Sequence, residues 1–149
     1  LLWMDINPFL IFNTETKSPA RIELNLADSA SLIPLPGIGP VLASRIIKYR
    51  QLLGGFVSLD QLNEVYGMEL YDPAILLPLV RLDTGLVTGL DINTASYGRL
   101  LRHPYLDQGE VEAIIQYRTF RGTRISPGEL LENSLLDSMK WEKVSFYIK

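Results

Sequence analysis

Apolar residues in this chain recur at spacings of three and four, the period of a helix that buries one face. The pattern is clearest between residues 40 and 53, where it predicts one buried stripe. The stripe comprises Leu42, Ala43, Ile46, Ile47, Tyr49 and Leu53. Alternation with a period of two, the mark of a half-buried strand, is weak throughout. We therefore predict an all-α protein.

Capping signals divide residues 22–82 into four short helices, because Asn, Ser, Asp and Pro favour helix starts and Gly favours helix ends. The first predicted helix is capped by Asn25 and covers about residues 26 to 34, and the second begins at Gly39-Pro40 and ends at Gly54-Gly55. The third begins at a capping box of Ser58 and Gln61, and the fourth begins at Asp72-Pro73 and ends near Val80.

An internal repeat is the strongest signal in the sequence. A shift of 68 positions places residues 22–62 over 90–130 without a gap, and eleven of the 41 positions are identical. The identities include Asn25/Asn93, Pro36/Pro104, Ile46/Ile114, Ile47/Ile115, Tyr49/Tyr117, Arg50/Arg118 and Gly54/Gly122. We predict a tandem duplication, in which each copy forms a unit of about four short helices.

The repeat suggests a division of the chain into four parts. A first unit covers residues 22–82, residues 83–89 (DTGLVTG) form a linker, and a second unit covers 90–149. Residues 1–21 match neither copy and are treated as a leader of unknown structure. In the second unit the expected caps are Asn93, the Asp107/Glu110 capping box, Ser126-Pro127 with Glu129, and Asp137-Ser138.

Composition excludes several classes of protein. The chain has one histidine and no cysteine, and it shows no phosphate-binding loop, dinucleotide-binding glycine pattern or metal-ligand cluster. We therefore expect no enzyme activity, no cofactor and no metal. The longest apolar stretches, residues 6–14 and 73–80, are shorter than the roughly 18 to 20 residues of a membrane span. Because the chain opens without an initiator methionine or a signal-peptide pattern, we expect a fragment whose cellular location the sequence does not reveal.

The segment LPGIGP, residues 35–40, is the best candidate for chemistry. Two glycines allow a tight turn with positive φ at Gly37 and Gly39, and Ile38 is expected to point inward. Gly39 has no side chain to cap the next helix, so its first amides stay open to a phosphate oxygen. The predicted phosphate-binding residues are Gly37, Ile38, Gly39, Val41, Leu42, Arg45 and Lys48. An ordinary helix-to-helix turn beside a solvated basic face explains the same residues.

The corresponding turn of the second unit lacks both glycines. Asp107 occupies the cap position, where its carboxylate takes the amides that a phosphate would need, so we expect a structural hairpin. A possible secondary basic patch consists of Arg99, Arg102, Arg118, Arg121 and Arg124, close to His103. Eight acidic and eight basic residues balance over 90–149, which favours a solvated mixed surface instead.

The two copies resemble the helix-hairpin-helix repeats of the bacterial competence protein ComEA family. The resemblance rests on the asparagine-x-alanine start, the LPGIGP hairpin, Ala43 and the isoleucine-isoleucine-x-tyrosine-arginine tail, and it covers about residues 22–149. It implies a SAM-like, double helix-hairpin-helix fold for each unit, with a second hairpin at residues 65–70 or 133–137. It also implies binding of duplex DNA without sequence preference, and it allows a link to DNA uptake and a membrane-anchored parent acting outside the cytoplasm.

Charge modifies the functional expectation. The net charge of −3 gives no general attraction to nucleic acid, so phosphate binding depends on a local site. Family members that bind DNA often carry lysine or threonine after the second glycine, where this chain has Pro40, Val41 and Leu42. We expect weak, sequence-independent binding of duplex DNA. The alternative is a protein-interaction or structural scaffold that has kept the fold and lost most DNA contact.

Overall fold

A computed structural model describes residues 20–149, so nearly all of the predicted leader at 1–21 lies outside the described residues. The α-helices are α1 Ser29–Leu32, α2 Pro40–Leu53, α3 Tyr97–Leu101, α4 Gln108–Arg121, α5 Glu129–Glu132 and α6 Ser138–Val144. Short 3₁₀ helices span Leu59–Glu64, Pro73–Leu76 and Thr84–Leu86. The strands are β1 Ile22–Glu23 and β2 Val80–Arg81. The protein is mostly helical.

The two long helices, α2 and α4, begin and end as their sequence signals predict. Helix α2 starts after Gly39 with Pro40 in its first turn, and α4 starts after Asp107. Each has 14 residues and ends at a glycine in the left-handed conformation, Gly54 or Gly122, which only glycine adopts without strain. Their apolar stripes face the core, where Ile46 and Ile114 are fully buried and the neighbouring Ile47, Tyr49, Ile115 and Tyr117 are half-buried.

Asn25 and Asn93 are not helix caps, and this corrects the predicted starts of the first helices. The N-caps of α1 and α3 are Asp28 and Ser96, whose side chains accept from the amides of Ser31 and Arg99. The Asn25 side chain instead exchanges two hydrogen bonds with the Phe56 backbone, at 3.0 and 2.7 Å. Asn93 does the same with Ile125, at 2.9 and 2.8 Å. Each asparagine therefore ties the start of its unit to the loop after the long helix.

The third and fourth predicted helices of the first unit are short 3₁₀ helices of six and four residues. Ser58 and Gln61 form the complete capping box expected, but the helix that they start has only six residues. The helix after Asp72 ends at Leu76, short of the predicted end, because Val80 pairs in β2. In the second unit Asp137 caps α6 as predicted. The capping box predicted at Ser126-Pro127 with Glu129 forms only one of its two hydrogen bonds, from the Ser126 amide to the Glu129 carboxylate at 2.6 Å. The N-cap of α5 is Gly128.

A small parallel sheet corrects the purely helical expectation. Ile22 pairs with Val80 and Glu23 with Arg81, which joins the beginning of the first unit to its end. Leu90 and Ile148 form an isolated parallel bridge of the same kind in the second unit. Strands of two residues are too short to show alternation of apolar and polar residues, so the hydrophobic pattern does not predict them.

Several contacts recur 68 residues apart. The Arg50 guanidinium donates to the carbonyls of Leu24 and Ala27, and that of Arg118 donates to Ile92 and Ala95. The two bridges, Ile22 to Val80 and Leu90 to Ile148, follow the same shift, as do the bounds of α2 and α4 and the N-caps Asp28 and Ser96.

Candidate nucleic-acid interface

The first hairpin, residues 35–40, is a tight turn fixed from both sides. Gly37 adopts a positive φ of 72°, as predicted, and the buried Ile38 side chain anchors the turn in the core. The Tyr71 ring covers Gly37, and its hydroxyl donates to the Pro36 carbonyl at 2.7 Å. These contacts hold the backbone of the hairpin in one conformation before any ligand arrives.

Gly39 is extended, with φ −98° and ψ −175°, which corrects the positive φ expected there. The reason is its role as the N-cap of α2, since N-cap residues adopt β-region angles. No side chain caps α2, and the first helical bond runs from the Ala43 amide to the Gly39 carbonyl at 2.9 Å. The amides of Val41 and Leu42 therefore precede the bonded turns of the helix. A β-carbon at Gly39 would meet no atom within 4 Å, so the N-terminus of α2 is sterically open.

Arg45 links the first hairpin to a second turn at residues 65–68. Its guanidinium donates to the Tyr66 carbonyl at 3.1 Å and lies 4.7 Å from the centre of the exposed Tyr66 ring. Gly67, with φ 91°, packs directly against the Arg45 guanidinium. This second turn lies within the hairpin segment 65–70 that the family resemblance implied. Both turns thus lie beside the first half of α2.

The corresponding turn of the second unit presents a closed helix end. Asp107 and Glu110 form the predicted capping box, in which the Asp107 carboxylate accepts from the Glu110 amide at 2.8 Å. The Glu110 amide, by that hydrogen bond, holds the pKa of Asp107 below its usual value. Glu110 also pairs with Lys140 at 3.3 Å. An anion at this N-terminus would meet an ionised carboxylate and occupied amides.

Tyr105 stands where the first hairpin has Gly37, and it turns the second hairpin into a contact between the units. Its buried side chain reaches the first unit, where the hydroxyl donates to the Glu64 carboxylate at 2.8 and 2.9 Å. Tyr49 also donates to Glu64. Burial, reinforced by the Glu64 carboxylate, raises the pKa of both Tyr49 and Tyr105, so both hydroxyls stay protonated and able to donate.

Gln61 completes this tyrosine cluster, which we define as Tyr49, Gln61, Glu64, Tyr105 and Tyr147. Its amide nitrogen donates to the hydroxyls of Tyr105 and Tyr147 at 2.8 and 2.9 Å. Tyr147 in turn donates to the Gly55 carbonyl at 2.8 Å. Among residues 20–149 no buried side-chain polar atom lacks a partner, so the cluster is a fully satisfied polar contact across the unit boundary.

His103 adds a second contact between the units. Its Nε2 lies 2.9 Å from the Leu53 carbonyl, and the Tyr105 amide donates to Nδ1 at 3.2 Å. This arrangement assigns the proton to Nε2 of a neutral ring. Burial lowers the pKa of His103, in agreement with the neutral form.

The predicted basic patch is divided between two surfaces. Arg118 is half-buried on backbone carbonyls, Arg121 pairs with Glu129 at 3.3 Å, and Arg124 lies 3.7 Å from Asp91. Arg99 and Arg102 lie elsewhere, in a cleft that they share with Lys48 of the first unit. Lys48, which was expected beside the hairpin with Arg45, therefore points to the unit boundary.

Residues 17–71 match the model of the helix-hairpin-helix motif, and the match spans both turns beside α2. This part of the chain is therefore similar to the helix-hairpin-helix motif. Two curated relatives are each named "Endonuclease/exonuclease/phosphatase family domain-containing protein 1". The Xenopus laevis protein is 28% identical over 142 residues, and the Danio rerio protein 23% over 150 residues; these alignments cover 81% and 86% of this chain. Each covers 26% of the relative, so the chain spans about a quarter of their length. No solved structure matches the chain significantly.

The names of these relatives overturn the expectation of a protein without enzyme activity. That expectation rested on the residue types of this chain, whereas the relatives that it matches are named for an enzyme family domain. Within residues 20–149, no three His, Asp or Glu side chains are grouped closely enough to hold a metal ion. In the same range no helix is long and apolar enough to cross a membrane.

Sequence reasoning missed the residues that hold the hairpins in place. Tyr71, Tyr66, Gln61 and Glu64 act across separations of 21 to 44 residues, for which a single sequence has no periodic signal. One signal was available, because an aromatic residue at 105 replaces the glycine of the first hairpin. A large residue at a former turn position indicates a packing role.

Proposed function

We propose that this chain binds duplex DNA through the backbone of its first hairpin, without sequence preference. The observation that carries the proposal is the uncapped N-terminus of α2, which follows Gly39 inside a matched helix-hairpin-helix motif. Helix-hairpin-helix motifs commonly bind DNA. Open amides and the helix dipole suit a phosphate oxygen there, and the dipole contributes about 0.3 to 1 kcal/mol.

Three features of the site support this function. The hairpin is held rigid by Tyr71 and Ile38, so little ordering entropy is lost on binding. Gly39, whose β-carbon position is open, lets a phosphate approach the backbone closely. Arg45 lies between the two turns, with its charge close to the same surface. Because Arg45 already donates to Tyr66 and the chain is acidic overall, we expect the affinity to be weak.

We further propose that the chain is a DNA-contacting part of an enzyme in the endonuclease/exonuclease/phosphatase class. The printed names of the two relatives support this, and the proposed DNA contact would place such an enzyme on its substrate. The resemblance to competence proteins suggested DNA uptake, but nothing in the geometry of the hairpin bears on uptake. Both relatives described above come from animals.

We also infer a tandem duplication as the origin of the two units, 22–82 and 90–149. The contacts that recur 68 residues apart support it, above all the two parallel bridges at the unit ends. In this interpretation the first unit keeps the phosphate site and the second, with Asp107 and Tyr105, has a docking role.

The decisive experiment compares Gly39→Ala with Gly39→Asp in a salt titration of duplex binding. Because the Gly39 Cβ position is open and its φ is negative, both variants should fold. The alanine variant should bind like the parent. The aspartate variant caps α2 and places a negative charge at the phosphate position, so binding should fall at least about tenfold, as expected for a lost charge-assisted contact of about 1.5 to 3 kcal/mol.

Two unrelated duplex sequences should give the same result, since a phosphate contact carries no sequence information. Because Gly39→Asp adds one negative charge at the phosphate position, the slope of log affinity against log salt should become shallower by about 0.9. If Gly39→Asp binds as tightly as Gly39→Ala, the first hairpin is not the DNA site. If the parent shows no binding at low salt, DNA binding is excluded and the protein-docking alternative replaces it.

A further inference from the structure

A cleft of about 520 Å³ lies at the boundary between the two units. The C-terminal half of α2 forms one wall, through Lys48, Leu52 and Leu53. Helix α3 and its C-cap form the other, through Arg99 and Arg102. His103, whose Nε2 bonds to Leu53, fixes the distance between the walls.

The charge of this cleft is opposite to that of the whole chain. Although the net charge is −3, the cleft lining includes Lys48, Arg99 and Arg102 and no carboxylate. All three cationic side chains are exposed. Within residues 20–149 none of them forms an ion pair, in contrast to Arg121 and Arg124. Three cations without a paired carboxylate attract an anion and gain little for the stability of the fold.

The cleft lies on the same helix as the open hairpin. Lys48 is eight residues after Pro40 in α2, which corresponds to about 12 Å along the helix axis. Each DNA strand has one phosphate per about 3.4 Å of the duplex axis, so a strand that meets the N-terminus of α2 presents further phosphates over this distance. The exposed residues of α2 between the two points include Val41 and Ser44.

We propose that the cleft is a second phosphate-binding site, which holds the backbone of the same duplex beyond the first hairpin. The inference rests on the proposed function. Arg99 and Arg102 would donate to phosphate oxygens from the second unit, and Lys48 would do so from the first. The second unit then contributes to DNA binding through α3 rather than through its capped hairpin.

The test measures duplex affinity against salt for Arg99→Ala/Arg102→Ala. The matched control is Arg121→Ala/Arg124→Ala, which removes the same charge from side chains that pair with Glu129 and Asp91. The cleft variant should make the slope of log affinity against log salt shallower by about two units, since each phosphate contact contributes about 0.9. The control should leave the slope within about half a unit of the parent. The side-chain Nε–H signals of Arg99 and Arg102 should also shift when duplex is added to the parent.

The outcomes separate the cleft from the hairpin. Equal slopes for the cleft variant and its control, with Gly39→Asp still weakening binding, would overturn the cleft site and leave the hairpin proposal standing. A lower slope for the cleft variant alone, with Gly39→Asp binding normally, would retain the cleft as the DNA site and overturn the hairpin. A parent that does not bind duplex at low salt would overturn both.

Discussion

Replacing Gly54 by alanine tests how the segment between the units is held, and Gly122 provides a matched control. Both glycines end a 14-residue helix in the left-handed region, with φ 95° and 63°. An alanine in that region is strained by about 1 to 2 kcal/mol. A β-carbon on Gly122 would meet no atom within 4 Å. The strain is therefore the whole expected cost of Gly122→Ala.

Gly54→Ala should cost more, because its β-carbon would overlap the Thr88 carbonyl oxygen. The segment around Thr88 must then move, which breaks the hydrogen bond from the Thr88 amide to the Gly54 carbonyl, now 2.7 Å long. Such a bond contributes about 0.5 to 1.5 kcal/mol. The expected loss in the free energy of unfolding is about 1 to 2 kcal/mol for Gly122→Ala and about 1.5 to 3.5 kcal/mol for Gly54→Ala.

Urea denaturation of the parent and both variants, followed by circular dichroism, measures these losses. The critical result is which of the two variants loses more free energy of unfolding. If Gly122→Ala were as destabilising as Gly54→Ala, the residues 83–89 would not be packed on the first unit in solution, and the contact at Thr88 would contribute nothing to the fold.

Further tests address the core, the unit boundary and pH. Ile46→Ala should cost about 2 to 5 kcal/mol in urea denaturation because the side chain is fully buried, whereas Val41→Ala, 62% exposed, should change stability by less than about 0.5 kcal/mol. Tyr105→Phe removes both the bond to Glu64 and the bond from Gln61, and it should cost about 1.5 to 3 kcal/mol with duplex binding unchanged; unchanged stability would show that the cluster is dispensable. Burial lowers the pKa of His103 in the folded state, so the unfolded chain binds the proton first as pH falls. The contribution of His103 to the free energy of unfolding should be fully present above about pH 6.5 and should decline as the pH falls towards the lower folded pKa. His103→Phe should abolish this pH-dependent contribution in unfolding curves measured at pH 5 to 8.

The sequence predicts the parts of the fold that depend on neighbouring residues. The bounds of helix α2 are predictable from Gly39, Pro40 and Gly54, and the capped N-terminus of α4 is predictable from Asp107 and Glu110, because caps act within three or four residues. Asn25 shows the limit of such reasoning. Asparagine is a good cap, yet here its side chain bonds to Phe56, 31 residues away, and Asp28 caps α1 instead.

The candidate site was only partly predictable for the same reason. The open N-terminus of α2 follows from the absence of a side chain at Gly39, which is a local property. The direction of the basic side chains does not follow from a local property, since Arg45 and Lys48 are three residues apart on one helix but have different neighbours. Arg45 donates to the Tyr66 carbonyl, whereas Lys48 lines a cleft together with Arg99. Only the packing of the two units determines that separation.

The parallel bridges have a consequence for how this architecture can be extended. Because Ile22 pairs with Val80, and Leu90 with Ile148, the backbone enters and leaves each unit at neighbouring points. A segment with adjacent ends can be copied, or inserted into a surface loop of another protein, without pulling apart the structure on either side. Each bridge thus joins the two ends of a segment of about 60 residues, which favours copying or insertion of that segment as one piece.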